Sequence, residues 1–412
     1  MRRFRSLIVA SLTLIGLSVV TPAQPAAGLS VSTTVTVGNS PVSVGFAPDG
    51  SRAYVSNSGT GTLSVVDTAT GSVVATVNGV SGTHGIAVGP TRIVVNGTFT
   101  MTSFPVYVID RSTGAILRTV NTLDNAAEGI AMNAAETFAY AVTGNSVTRI
   151  DLSNGAMLQS PTVAMAYSEI VLNSAGTRAY VTSYNAGTVT EFDTTSMTVL
   201  RTLAPGFGPI GIAVAPDGSH IIVASCSAAS VLRIDLASFT TTATTAVASC
   251  PWGVAINPAG TRTYVTSYSG DKVTEIDQVT ATVLSETVVG SRPKGLRVSP
   301  DGTKLYVVNG AADSVSVIQL PAEPTAVSAF SVRVNKSKSA TAIAMHANLA
   351  VKKGSRISLS VTKTSTRYCR VIGSTVKGIK AGTCRVRVVV TPKKGRAKSK
   401  TVTLEVKSRF AD

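Results

Sequence analysis

A pattern that returns every 42 residues governs most of this chain. A hydrophobe followed by aspartate recurs as Val66-Asp67, Ile109-Asp110, Ile150-Asp151, Phe192-Asp193, Ile234-Asp235 and Ile276-Asp277, and a seventh copy ends in Ile318-Gln319. Val66 to Ile318 spans 252 residues, six intervals averaging 42. A second anchor, the turn and strand Pro48-Asp49-Gly50-Ser51-Arg52-Ala53-Tyr54-Val55, returns around Tyr140, Tyr180, Ile222, Tyr264 and Tyr306, with a shortened copy at Thr91-Arg92-Ile93-Val94-Val95. A third, of the Gly-Ile-Ala-Val type, starts at Gly85, Gly129, Gly211, Gly253 and Gly295. Three anchors in register over seven copies exclude coincidence, and a fold that ignored them would have to bury seven like segments in seven unlike environments.

Each copy holds four runs of β-forming residues separated by turn residues. In the fifth these are 211–215, 220–224, 231–236 and 241–248. Four strands in about 42 residues make one blade of a β-propeller. Seven copies predict a seven-bladed ring over residues 31–320. The lone run 31–37 precedes the first inner strand, and no fourth strand is visible between Ile318 and Pro321. The N-terminal run is therefore expected to complete the last blade and close the ring. Composition agrees: only 14% of residues are charged and 5% aromatic, against about 25% charged in an average soluble protein.

The strand copies Tyr54-Val55-Ser56-Asn57, Tyr180-Val181-Thr182-Ser183, Tyr264-Val265-Thr266-Ser267 and Tyr306-Val307-Val308-Asn309 resemble the YVTN-type propeller repeats. Trp252 is the single tryptophan, so the WD pattern is absent. The resemblance implies a seven-bladed ring of a kind found in surface-layer and adhesion proteins. Related rings house lactonases, streptogramin lyases and quinone-dependent dehydrogenases, and the fold does not choose among them.

Residues 1–27 carry a basic start, Met1-Arg2-Arg3-Phe4-Arg5, an uncharged apolar run from Leu7 to Val20 and small residues after it. This is the pattern of a secretory signal peptide. Fourteen apolar residues are short of the ~20 that a membrane span needs. The mature chain is expected to be exported, to lack a membrane span and to be monomeric, with its four cysteines in disulfides.

The formal charge of +16 is unevenly placed. Residues 329–412, beyond a linker at 321–328, hold 20 Lys and Arg against two acids, whereas residues 31–328 hold 14 against 19. Alternation in 356–361, 384–390 and 401–406 predicts strands, with Pro392-Lys393-Lys394-Gly395 as a hairpin turn. Val351-Lys352-Lys353-Gly354 and Ala381-Gly382-Thr383-Cys384 resemble the small Ig-like β-domains that end many exported actinobacterial proteins. Cys369 and Cys384 are 15 residues apart across a predicted turn and are expected to bridge. The basic charge is either a solvated surface or an adhesive one for an anionic cell-wall polymer. Nucleic acid fits less well, because Tyr368 and Phe410 are too few to stack bases.

The repeat aspartates, and Asp49, Asp217 and Asp301 in Pro-Asp-Gly, sit in turn sequences where a carboxylate accepts backbone N–H groups. Gly206-Phe207-Gly208-Pro209-Ile210-Gly211 matches a dinucleotide fingerprint but leads into a strand where the fingerprint needs a helix. Aligned repeats place Val42, His84, Glu128, Ser168, Ile210, Trp252 and Lys294 at one channel mouth, with Glu169 beside them. His84, Glu128 and Glu169 suit a divalent cation or acid–base work, but the favoured account of them is the hydrated polar mouth that propellers commonly have. Streptogramin lyases are similar in placing His and Glu on such a face, but no longer motif matches and no catalytic role carries over. Cys226 and Cys250 fall in neighbouring loops of the same face and are expected to pair. Phe99, Phe104, Tyr184, Trp252 and Tyr268 are expected in its loops. Trp252, Lys294, Tyr184 and Tyr268 make a candidate ligand surface for wall polymer or a surface protein. The expectation is a non-enzymatic exported binding or adhesion protein that needs no cofactor. The alternative is an extracellular metal-dependent hydrolase or lyase centred on His84, Glu128 and Glu169.

Overall fold

The computed structural model describes residues 29–82, 84–97, 104–122, 126–143, 146–161, 169–206 and 208–321, and seven further strands between 332 and 407 as backbone only. Every regular element among the described residues is a strand. Seven four-stranded antiparallel sheets follow one another as blades. Blade 1 comprises Pro41–Phe46, Arg52–Asn57, Thr62–Asp67 and Ser72–Val77, and blades 2 to 6 span 86–122, 126–159, 170–203, 209–246 and 251–288. Blade 7 takes Pro293–Val298, Lys304–Asn309 and Ser314–Gln319, and its outer strand is the N-terminal Val31–Thr36, antiparallel to Ser314–Gln319. One strand borrowed from the start of the chain makes closure of the ring depend on both ends of the propeller sequence.

The core lies between blades, where each sheet packs face to face on the next. Tyr54, Tyr140, Tyr180, Tyr264 and Tyr306 are all buried, at 4% exposure or less. Their alternate neighbours pack the other face, as a period of two requires. Phe46 meets Tyr306 edge-on, with ring centroids 5.0 Å apart, and so joins blade 1 to blade 7. Burial of the Tyr306 hydroxyl raises its pKa to about 12, with Asp67 and Asp301 adding to the effect.

The repeat aspartates hold turns. Asp67 accepts the N–H groups of Ala69 and Thr70, Asp193 those of Thr195 and Ser196, and Asp277 those of Val279 and Thr280. The Ser112 and Thr113 hydroxyls and amides around Asp110 lower its pKa to about 2. Arg52, Arg178 and Arg262 reach across the hairpin to Asp67, Asp193 and Asp277. Blade 3 departs from the pattern. Its turn has Glu136 at φ 53°, where other copies have glycine, and the Glu136 carboxylate accepts N–H groups from Thr91 and Arg92 of the shortened blade 2 turn. Those bonds offset the cost of left-handed backbone at a non-glycine residue.

Blades 2 and 4 have inner strands of only three residues, Ile86–Val88 and Ile170–Leu172. Phe104 opens the strand Phe104–Asp110, so it is a half-buried strand residue and not the loop residue expected. Phe99 lies outside the described residues, as do residues 1–27. Among the described residues no helix is long and apolar enough to cross a membrane.

Beyond residue 331 the described strands form two sheets. One has the order Val332–Arg333, Lys398–Lys407, Gly382–Thr391, Arg356–Val361; the other has Ser337–Ser339, Thr375–Gly378, Cys369–Ile372. Gly382–Thr391 and Lys398–Lys407 pair antiparallel, as the predicted hairpin requires. Cys369 and Cys384 fall on different sheets with the strand Thr375–Gly378 between them, so the link between them is not the simple turn expected. The Cys369 and Cys384 side chains lie outside the described part.

Candidate functional site

The top face is built by a hydroxyl relay that repeats around the ring. In blade 6 the Gly253 amide donates to the Thr266 hydroxyl, which donates to the Lys294 carbonyl of blade 7 at 2.7 Å. In blade 4 the Glu169 amide donates to Thr182, which donates to Ile210 O. In blade 1 the Ser43 amide donates to Ser56, which donates to His84 O at 2.7 Å. The Ser or Thr in each Tyr-Val-Ser/Thr strand is thus the stitch between one blade and the next mouth residue. In blades 5 and 6 a glycine follows the mouth residue and leaves room for the next blade: a Cβ on Gly211 would lie 2.1 Å from Trp252 O, and one on Gly253 2.5 Å from Lys294 O.

The mouth residues occupy β-bulges. Pairing slips between Pro209 and Ile212, between Pro251 and Val254, and between Pro293 and Leu296. A bulge turns side chains out of the plane of the sheet. Trp252 and Lys294 are half-exposed, whereas Val42 and Ile210 are buried, at 6% and 3% exposure.

Trp252 and Tyr268 stack at 5.1 Å between centroids with 32° between planes. Lys294 Nζ lies 6.0 Å from the Trp252 ring, and the Arg292 guanidinium lies 6.0 Å from Tyr268. Cys226 and Cys250 are joined by a disulfide, as expected, which ties the blade 5 hairpin loop to the loop leading into Trp252. Tyr184 stands one blade further round, its hydroxyl 3.4 Å from Ser227 Oγ on that bridged loop. Three of the four expected surface residues therefore meet, and the fourth touches the same loop. Arg292 joins them and was missed by sequence reasoning; its position one residue before the blade 7 Pro, opposite Cys250 in blade 6, was the available signal. An aromatic pair flanked by two cations suits a ligand that is anionic and offers flat or apolar faces.

His84 and Glu169 hold their blades through backbone groups, His84 N to Asn96 O and Glu169 O from Thr182 N. The Glu128 side chain and Ser168 lie outside the described residues. Among the described residues no three His, Cys, Asp or Glu side chains group as metal ligands.

A family model described as a YNCE-like beta-propeller matches residues 6–301. No curated protein matches the chain. Among solved structures, hydrazine synthase of Kuenenia stuttgartiensis is similar at 19% identity and a TM-score of 0.62, covering 69% of this chain and 96% of that one. The Cps50 (Swd1) β-propeller domain of Myceliophteria thermophila is similar at 12% identity and a TM-score of 0.62, covering 71% of this chain and 100% of that one. At such identities the likeness carries the ring and nothing of activity.

Proposed function

The chain belongs to the YNCE-like β-propeller family, and we propose that it is an exported, non-enzymatic binding protein of the cell surface. In this reading the top face recognises a ligand, and the strand-rich basic segment, an Ig-like module, holds anionic wall polymer. The observation that carries the reading is the cluster of Trp252, Tyr268, Lys294 and Arg292 on one rim, braced by the Cys226–Cys250 bridge. Rigid aromatics with adjacent cations bind well because little side-chain entropy is lost on contact. The segregation of +18 in residues 329–412 from −5 in residues 31–328 supports a division of labour.

Co-sedimentation of the mature chain with purified cell-wall fragments over a salt series tests it. Expected is binding with a salt-sensitive component, since exposed charges are screened within ~8 Å at physiological ionic strength, and a salt-resistant component lost in a Trp252→Ala/Tyr268→Ala variant. No sedimentation, or an unchanged variant, overturns the reading.

A further inference from the structure

The lower end of the channel carries a second feature, independent of the top face. Strand pairing identifies one position on every inner strand, the residue opposite Tyr54, Val94, Tyr140, Tyr180, Ile222, Tyr264 or Tyr306 on the second strand. Six blades place Gly45, Ala87, Ala131, Val171, Ala213 and Ala255 there. Small residues are expected, because inner strands crowd together around the axis: a Cβ on Gly45 would lie 2.7 Å from Val88 Cγ2. Blade 7 places Arg297 at this position.

Arg297 lines a cavity of about 550 Å³ at this end of the channel. Phe46, Met132, Leu172 and Ile256 supply apolar wall. Arg297 is the one charged side chain among the described lining residues. Of the polar residues in the lining, Asn133 and Asn173 bind the amides of their own turns. Among the described residues no carboxylate pairs with the Arg297 guanidinium.

We propose that this cavity binds an amphipathic organic monoanion, with its carboxylate or sulfonate head on Arg297 and its apolar body against the channel wall. The volume lies within the range of small-molecule pockets, which are mostly apolar with a few polar anchors. A guanidinium against an apolar wall attracts an anion more strongly than one in open water, and its planar fork donates N–H groups to two oxygens of the head group. A neutral ligand of the same shape would leave the cation without a partner, and a polyanion would gain nothing from the wall.

The probe is anilinonaphthalene sulfonate, titrated into the full mature chain by fluorescence, then competed with decanoate or with decanol. Expected is saturable binding, displaced by decanoate and poorly by decanol. Arg297→Met should weaken it at least about tenfold, while Arg297→Lys retains part of it. The Met variant should keep or raise the melting temperature, since it removes the one charged side chain from the lining, which separates a lost site from a lost fold. Trp252→Ala should leave dye affinity unchanged, so failure here is distinguishable from failure of the top-face reading. Non-saturable dye binding, equal affinity in Arg297→Met, competition by decanol as strong as by decanoate, or loss of the dye in Trp252→Ala each overturns the proposal.

Discussion

Gly211→Ala tests the packing of blade 5 on blade 6 in a single methyl group. The added Cβ would lie 2.1 Å from Trp252 O and 3.1 Å from both Trp252 C and Gly253 Cα, all backbone atoms of the next blade. An ordinary carbon–oxygen contact needs more than 1 Å of further separation, and no flexible side chain stands there to yield. Overpacking of this kind costs about 1–3 kcal/mol and occasionally more, and a rigid backbone neighbour places this case at ~3 kcal/mol. For a ring spanning residues 31–320 that lowers the melting temperature by about 5 °C, since the unfolding entropy is about 2.1 cal/mol/K per residue. Gly218→Ala is the control. It has φ +66° but nothing within 4 Å of its Cβ, so it carries only the left-handed penalty of ~1–2 kcal/mol. Thermal unfolding followed by emission of Trp252, the single tryptophan, reads both global stability and the local shift. A Gly218→Ala loss as large as that of Gly211→Ala, or an unmoved Trp252 emission in Gly211→Ala, refutes the close-approach argument.

Other outcomes follow from the same geometry. Thr266→Val removes the part-buried stitch to Lys294 O and orphans the buried Gly253 amide, and should cost about 1–3 kcal/mol in urea titration; an unchanged midpoint sinks the relay. His220 is 5% exposed, and burial first, then the Arg233 charge, lowers its pKa against the opposing pull of Gln278, Asp217 and Asp235. The unfolded chain therefore takes up that proton first, so stability is full above the ordinary value of 6.5 and falls as pH drops below it. His220→Gln should flatten that slope in melts from pH 7 to 5; an equal slope in both proteins would count against the burial effect. Reducing Cys226–Cys250 opens a loop with a sequence separation of 24 and should cost ~3 kcal/mol while leaving strand content by circular dichroism unchanged. A melting temperature indifferent to reductant refutes it.

The channel was half legible. The Gly-Ile-Ala-Val anchor continues in blade 7 as Gly295-Leu296-Arg297-Val298, so an arginine in the small-residue column stands in plain view. Its meaning depends on which way that column faces, and only the pairing with Tyr306 and the cavity beyond it supply that. Glu136 was equally visible in the glycine column of the turns, but its partners Thr91 and Arg92 belong to another blade, 45 residues away or nearly so. Ile210, Trp252 and Lys294 occupy equivalent bulges, yet equivalent position gave unlike exposure: Ile210 is buried and Trp252 is half-exposed. Bulge geometry and side-chain size decide that.

Local, periodic terms were settled by the amino-acid order alone. The repeat spacing determined the number of blades, the alternation determined which faces pack, and the aspartate turns were readable from a few consecutive residues. A leftover strand at one end and a missing strand at the other determined how the ring closes. Contacts between blades were decided by the tertiary structure. Whether Thr266 reaches a carbonyl 28 residues on, whether Trp252 stacks on Tyr268 beside Lys294, and whether Arg297 meets a carboxylate all turn on distances of a few ångströms between separate sheets. A period fixes what each blade is, but the packing of one blade on the next is fixed only when all seven share one axis.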